Sequence, residues 1–341
     1  MKFDPAIKEY KSVSNRIGLC LILFVVFFNV TATISSLISS VLESLLRHDI
    51  AYSIGQVLSM ASYLLSFMIP AVIIRAVLKP LGNLQPIRLE VKLPKSSLLL
   101  IPAAIAVSFC TAYINSRLLD IFNISDAYSE LVGGYVGGYS AYEIVLLFIS
   151  TAIVPAVCEE FLFRGVVLSN LLPFGRGIAI VGSSVLFGLM HQNPYQILYT
   201  TAAGMVIGYA YVKTESIWCP MLIHFCNNAF SIIEQVMAAN YDVRTANVVI
   251  SVMELCAVVI GLTSFAVYLV IDLGKKRDKY KNGSFGVILE TDDAYEERDI
   301  PAALRLRGFF SGGMIAFIAV TFISIAATIV MLMIISGIGA A

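Results

Sequence analysis

Three charged side chains lie within an otherwise apolar stretch of the sequence, at Glu159, Glu160 and Arg164. An ionised side chain in a bilayer core costs between about 3 and more than 10 kcal/mol, so such groups face a protein interior or a wet cavity. Glu160 and Arg164 are four residues apart, which predicts that they pair on one face of a helix. Glu159 points about 100° away around that helix and is free for another partner. Because Pro155 lies four residues before Glu159, we expect a kink and a freed backbone carbonyl one turn before the acidic pair.

Two further apolar segments carry polar side chains with the same helical spacing. Phe187 precedes His191 by four residues, and His224 precedes Asn228 by four, so each pair shares a helix face. A hydrolase needs a base that takes a proton from water, a second group that holds the water, and donors for the oxyanion. Glu159 and His191 offer the two acceptors, whereas His224 and Asn228 offer the donors. These four side chains are therefore candidate catalytic residues.

Each of these features also has a structural explanation when it is taken alone. A single glutamate–arginine pair inside a membrane is often a purely structural contact. A lone His191 at a helix end more commonly bonds to a backbone group, and Asn228 is of a type that joins neighbouring membrane helices. The joint pattern of acids, imidazoles and an amide favours a catalytic site over these separate explanations.

The chain that must position these side chains has the composition of a membrane protein. Of its 341 residues, 58% are hydrophobic and only 13% are charged, whereas soluble proteins carry about 25% charged residues. Apolar stretches that approach the roughly 20 helical residues needed to cross a bilayer recur along the sequence. Nine helices are predicted, at residues 17–40, 54–78, 97–114, 142–167, 177–191, 196–212, 217–237, 248–271 and 313–338. The expected fold is an all-α polytopic membrane protein, a bundle of about eight to nine transmembrane helices.

The distribution of positive charge predicts the orientation of this bundle. Cytoplasmic loops of membrane proteins are enriched in Lys and Arg. With the amino terminus in the cytoplasm, 20 of the 23 Lys and Arg residues fall on the cytoplasmic side, and only Arg47, Arg117 and Arg244 fall outside. The apolar run that begins at Ile17 is too long for the core of a signal peptide and is expected to be a retained first span. We therefore expect an integral, multi-pass protein with a cytoplasmic amino terminus.

Three motifs occur in order along the predicted helices, namely EExxxR at residues 159–164, FxxxH at 187–191 and HxxxN at 224–228. Together they resemble the CPBP family, the Abi or type II CAAX prenyl endopeptidase group of intramembrane proteases. The resemblance covers residues 141–231 and does not extend to the first three helices or to the last one. EExxxR alone is weakly specific, whereas the three motifs together are a specific signature.

The resemblance implies a helical bundle with a conical cavity that faces the cytosol. It implies that Glu159 and His191 activate water there, and that His224 and Asn228 form the oxyanion hole. Further side chains would support the site or line the cavity: Glu160, Arg164 and Phe187. The implied activity is cleavage of a membrane-associated peptide or a lipidated protein, with the bilayer as a partner and no nucleic acid. A bacterial cell membrane is the expected location.

Four regions are expected along the chain. Residues 1–140 form the amino-terminal helices of the bundle, 141–271 the CPBP-like catalytic core, 272–312 a charged cytoplasmic loop, and 313–341 a carboxyl-terminal transmembrane helix. The resemblance implies about eight helices, so the ninth helix and the loop before it look like an addition.

Metal dependence is left open by the residue types. The sequence lacks the HExxH pairing typical of zinc proteases, and we favour a glutamate mechanism without a cofactor. A carboxylate with one histidine from each of two helices can nevertheless form a three-ligand zinc site, and the candidate ligands are Glu159, His191 and His224. The six cysteines are scattered singly through apolar segments. They are interpreted as small buried residues, neither a disulfide framework nor a metal cluster.

Two other functions stand beside the protease interpretation. One is a non-catalytic membrane scaffold or regulator with the same fold, such as a self-immunity protein against a bacteriocin. The other is a proton-coupled transporter, which is disfavoured because no internal repeat is visible in the sequence. Nothing in the sequence identifies the substrate or indicates whether it is prenylated.

Overall fold

The computed structural model describes residues 5–82, 84–121, 138–281, 298 and 300–339. These residues contain ten helices and no strand, which confirms the all-α class. The helices are α1 Pro5–Leu45, α2 His48–Leu78, α3 Leu100–Asp120, α4 Ala141–Phe174, α5 Arg176–Met190, α6 Ile197–Thr214, α7 Trp218–Asn240, α8 Val243–Lys281, α9 Ala302–Phe309 and α10 Gly312–Gly339. All nine predicted helices are present, and α9 is an additional short helix.

Six of the helices in the described part of the chain are long and apolar enough to cross a bilayer, namely α1, α2, α3, α4, α8 and α10. The chain is therefore a multi-pass membrane protein. The remaining predicted spans, α5 to α7, do not meet this criterion of length and hydropathy. For α5 the reason is its 15 residues, which extend only about 22 Å along the helix axis.

The outer surface of the bundle is apolar. Large side chains such as Leu37 on α1, Leu255 on α8 and Ile323 on α10 are exposed, as expected where hydrocarbon and not water is the solvent. Two cysteines, Cys110 and Cys256, lie on this surface. The prediction that every cysteine is buried is thus wrong for these two, because lipid accommodates an apolar side chain as readily as a protein core does.

Helix α4 has an irregular backbone. It is α-helical over Val154–Glu160 but π-helical on either side of this segment, over Phe148–Ile153 and Phe161–Leu168. Single π-helical turns are often found at functional sites, and Pro155 removes one N–H from the hydrogen-bonding pattern. The sequence predicted a disturbance at Pro155 but not its π-helical form.

The carboxyl-terminal helix α10 packs closely against α1. A Cβ atom on Gly18 would collide with the backbone of Gly313, so both positions require glycine for this approach. Next to this crossing, the backbone N–H of Gly313 donates to Asn15 Oδ1 over 2.6 Å. Although α10 lies outside the region of family resemblance, it is thus built into the bundle.

Part of the predicted charged loop at 272–312 is helical and contacts the bundle. Helix α8 continues to Lys281, and α9 follows at Ala302–Phe309, whereas residues 282–297 and 299 lie outside the described residues. Arg298 pairs with Glu9 on α1, with 2.7 Å between Nη2 and Oε1, and its guanidinium lies over the ring of Phe174. These contacts hold Arg298 against the ends of α1 and α4.

Candidate active site

A cavity of about 440 Å³ lies between α1, α2, α4, α5, α6 and α7. Five of the seven predicted site residues line it: Glu159, Phe187, His191, His224 and Asn228. The other two, Glu160 and Arg164, are fully buried in α4. Three separate helices thus bring all the candidate catalytic side chains to one cavity.

Glu160 links Arg164 to His224 in the buried interior. The Arg164 Nη1 atom lies 3.0 Å from Glu160 Oε1, which confirms the predicted pair on α4. The same oxygen accepts a hydrogen bond from His224 Nδ1 over 2.7 Å. A carboxylate oxygen only accepts, so Nδ1 carries the hydrogen, and Nε2 is the nitrogen of His224 left for the cavity.

Arg164 is held by two further contacts. Its Nη2 donates to the backbone carbonyl of Gly204 on α6 over 3.0 Å, and its guanidinium lies 4.6 Å from the centre of the Phe187 ring. A Cβ on Gly204 would press on both Arg164 and Phe187. Glycine at position 204 thus leaves space for these two side chains.

Glu159 has its two oxygens in different surroundings. Tyr63 on α2 donates its hydroxyl to Oε1. Oε2 is buried, has no hydrogen-bond partner among the described residues, and lies 3.9 Å from His224 Nε2. Glu159 is therefore fixed through one oxygen, while the other is left for the cavity.

Tyr63 was not predicted as a site residue. It is 96 residues from Glu159 in sequence and belongs to α2, which has no motif. The ring is stacked on Phe67 at 4.7 Å and meets Phe28 edge-on at 5.9 Å. The only available signal was a polar hydroxyl within an apolar helix, which does not identify a partner.

His191 directly follows α5 and is oriented by the last turn of that helix. Its Nδ1 lies 2.9 Å from the backbone carbonyl of Phe187, and since a carbonyl only accepts, Nε2 is left as an acceptor in the neutral ring. The Phe187 ring meets His191 edge-on at 5.1 Å and His224 at 5.9 Å. One phenyl ring thus contacts both imidazoles.

The residue after His191 ties the site to distant helices. Gln192 has a positive φ of 51°, which is uncommon for a residue with a side chain. Its Oε1 accepts hydrogen bonds from Asn29 Nδ2 on α1 over 3.2 Å and from Ser324 Oγ on α10 over 2.8 Å. Helices from both ends of the chain therefore contact the turn that follows His191.

Asn228 faces the same cavity from α7. Its Nδ2 donates to the backbone carbonyl of Thr151, in the first π-helical segment of α4, over 3.0 Å. An amide nitrogen carries two hydrogens, so one of them is left for a further acceptor in the cavity.

The cavity has walls of different character. Aromatic side chains from α1 and α2 form one wall, namely Phe24, Phe28, Tyr63 and Phe67. Hydroxyl and amide side chains from α4, α6 and α7 form much of the rest, namely Ser150, Thr151, Gln196, Thr200, Asn227, Asn228 and Ser231. The space beside Glu159 can thus contact apolar groups on one side and polar groups on the other.

The candidate zinc ligands do not form a metal site as they stand. Among the described residues, no group of three or more His, Cys, Asp or Glu side chains is arranged to hold a metal ion. Glu159 Oε2 and His224 Nε2 are 3.9 Å apart, whereas two ligands of one tetrahedral zinc lie about 3.3 Å apart, given zinc–ligand distances of about 2.0–2.1 Å. The hydrogen bond from His224 Nδ1 to Glu160 does not bear on this point, since histidines that bind metals commonly make such a bond through their second nitrogen.

Comparisons with known proteins match the same part of the chain. Residues 141–230 match a family model described as type II CAAX prenyl endopeptidase Rce1-like. YdiL of Bacillus subtilis, named as a candidate membrane peptidase, is 33% identical over 94 residues, which are 26% of this chain and 37% of that protein. The membrane-embedded CAAX protease MroQ of Staphylococcus aureus is 26% identical over 185 residues, 50% of this chain and 72% of MroQ. No solved structure matches the chain significantly.

Proposed function

We propose that the chain is an intramembrane endopeptidase, because residues 141–230 match the Rce1-like family model and two similar proteins are named as a membrane peptidase and a CAAX protease, matches that support membership of the CPBP family. The observation that supports the proposal most strongly is the hydrogen bonding of the two Glu159 carboxylate oxygens. One of its oxygens is held by Tyr63, and the other is buried in the cavity without a hydrogen-bond partner among the described residues. An unpaired carboxylate oxygen beside an imidazole is suited to take a proton from water.

In the proposed reaction, water is the nucleophile and Glu159 is the general base. Glu159 Oε2 takes one proton from the water, while Nε2 of His191 accepts a hydrogen bond from it and holds it in place. The water oxygen then forms a bond to the carbonyl carbon of the peptide. When the C–N bond breaks, the proton moves from Glu159 to the leaving amine, so atoms and charges balance.

The oxyanion of the tetrahedral intermediate is proposed to lie between His224 and Asn228. Asn228 offers its second amide hydrogen. His224 offers a donor at Nε2 when it is an imidazolium, a state supported by Glu160 at Nδ1. With His224 and Arg164 positively charged and Glu159 and Glu160 negatively charged, the cluster has no net charge. Buried charges are normally paired in this way.

The proposed substrate is a membrane-associated peptide or a lipidated protein. The aromatic wall at Phe24, Phe28 and Phe67 would contact an apolar side chain or a lipid group near the scissile bond. MroQ, which covers half of this chain, is named a CAAX protease. Whether the substrate of this chain is prenylated is decided by comparing two probes, a quenched fluorescent peptide with a farnesylated cysteine and its unmodified counterpart.

The proposal is tested with the purified full chain in liposomes. Cleavage of either probe, at a rate proportional to the amount of protein, is the expected result. In parallel, membrane peptides from cells that express wild-type protein are compared with those from cells that express Glu159→Gln. Peptides that accumulate only in the variant would identify the natural substrate. Failure of both probes, together with identical peptide profiles, would favour the scaffold function instead.

Replacing Tyr63 by phenylalanine is expected to lower kcat by about 10-fold with little change in KM. The substitution removes only the hydroxyl that fixes Glu159, and 10-fold corresponds to about 1.4 kcal/mol, close to the lower limit of about 1.5 kcal/mol for a hydrogen bond to a charged group. Steady-state kinetics on the cleaved probe measure the effect.

The matched control for this variant is Tyr268→Phe. It removes a hydrogen bond between two tyrosines, Tyr268 and Tyr209, outside the cavity. Equal losses of kcat in the two variants would contradict the role assigned to Tyr63.

Removal of divalent metal ions is expected to leave the activity unchanged. The mechanism proposed above is complete with water and the side chains of the chain. Activity is measured after dialysis against a strong chelator and again after zinc is added back. Complete loss of activity that zinc alone restores would overturn the metal-free mechanism.

A further inference from the structure

Pro155 affects the backbone of α4 next to Asn228. The N–H of residue 155 would reach the carbonyl of Thr151 in an α-helical turn and the carbonyl of Ser150 in a π-helical turn. Proline has no N–H, so in either case Thr151 receives no hydrogen bond from position 155. The same carbonyl accepts the hydrogen bond from Asn228 Nδ2 at 3.0 Å. The carbonyl that the sequence predicted to be freed is therefore bonded to a candidate catalytic side chain.

The surrounding backbone is also shifted from the α-helical pattern. The segment Phe148–Ile153 is π-helical, and the N–H of Val154 reaches back five residues to the carbonyl of Ile149. Both Thr151 and Asn228 line the cavity. The distortion thus lies where α4 meets α7 at the cavity.

We propose that Pro155 is a positioning residue that acts through Asn228. By withholding an N–H, it leaves the Thr151 carbonyl to hold one hydrogen of the Asn228 amide, and this fixes the direction of the other hydrogen. This inference rests on the proposed function, in which that second hydrogen stabilises the oxyanion. A backbone N–H at position 155 would compete for the carbonyl and release the amide.

The test compares Pro155→Ala with Pro70→Ala. Pro70 also lies inside a helix and is buried, but it does not line the catalytic cavity. Both substitutions restore a helical N–H, so neither thermal midpoint should fall. Pro155→Ala is expected to lower kcat on the farnesylated probe by about 10-fold with KM unchanged, a part of the loss typical for removing an oxyanion donor. Pro70→Ala should keep the wild-type kcat.

A double variant shows whether the effect passes through Asn228. Asn228→Ala alone is expected to lower kcat by about 100-fold. If Pro155 acts only by orienting this amide, Pro155→Ala adds no further loss in the Asn228→Ala background. Multiplied losses in the double variant would overturn the inference, as would a folded Pro155→Ala protein with wild-type kcat.

A readout that does not need activity separates this inference from the proposed function. The side-chain amide NMR signals of Asn228 should shift in Pro155→Ala and stay in place in Pro70→Ala. Unchanged signals in both would overturn the inference, even if no probe is cleaved.

Pro155→Gly is the second variant, since it also restores the N–H. Failure of both Pro155 variants to fold would also overturn the inference, because it would show that Pro155 is required for folding and not for the position of Asn228.

Discussion

Glu159→Gln is expected to lower kcat/KM about 1,000-fold or more while the protein remains folded. Glutamine has nearly the same shape and keeps an oxygen that accepts from Tyr63, but it cannot take a proton from water. General bases typically contribute about 100- to 10,000-fold. The measurement is the cleavage rate of the probe peptide in liposomes, together with the thermal midpoint in detergent.

The matched control is Glu43→Gln, which makes the same chemical change on the exposed surface of α1. It should keep the wild-type rate.

The Glu159→Gln variant also distinguishes the protease from the scaffold and the transporter, the two other functions that the sequence left open. A scaffold or immunity protein would keep its cellular phenotype in Glu159→Gln, and a proton-coupled transporter would lose substrate-dependent proton flux without any change in peptide cleavage. Wild-type cleavage by Glu159→Gln would remove the basis of the proposed mechanism.

Arg164→Leu is expected to cause the largest loss of stability, about 3–5 kcal/mol, because it leaves the buried cluster of Glu159, Glu160 and His224 with one uncompensated negative charge. Arg164 is fully buried and bonds to both Glu160 and the Gly204 carbonyl. Leucine fills part of the volume but supplies no donor. Reversible unfolding by denaturant in detergent measures the free energy of unfolding, and the fraction of protein inserted in membranes gives a second readout.

Arg117→Leu serves as the control for this change. Arg117 forms an exposed pair with Asp120 within one helix turn, and exposed pairs contribute little to stability. It should therefore unfold as the wild type does. If Arg164→Leu unfolded at the same denaturant concentration as this control, the buried pair would not be a major contributor to the fold.

Much of the helical fold could be predicted from the sequence. Apolar runs and their polar interruptions located all nine predicted helices, because the length of an apolar run reflects the thickness of the bilayer that a helix crosses. The i and i+4 spacing of Glu160 and Arg164 predicted their ion pair for the same local reason. By contrast, α9 and the π-helical segments depend on packing between distant parts of the chain, which local patterns do not contain.

The candidate site could be predicted only in part. The three motifs identified residues that the structure brings to one cavity, but not the contacts that orient them. The bond from Tyr63 to Glu159 joins helices 96 residues apart, and the bond from His224 to Glu160 spans 64 residues. Helical spacing could show that Glu159 was free for a partner, but it could not name that partner.

The position of Gln192 has a consequence for protein engineering. The residue that follows His191 receives hydrogen bonds from Asn29 and Ser324, which lie outside residues 141–230 at opposite ends of the polypeptide. A chimera that grafts only 141–230 into a different host scaffold would import the reactive groups without these two donors. Transplanting the site intact requires the terminal spans to travel with it.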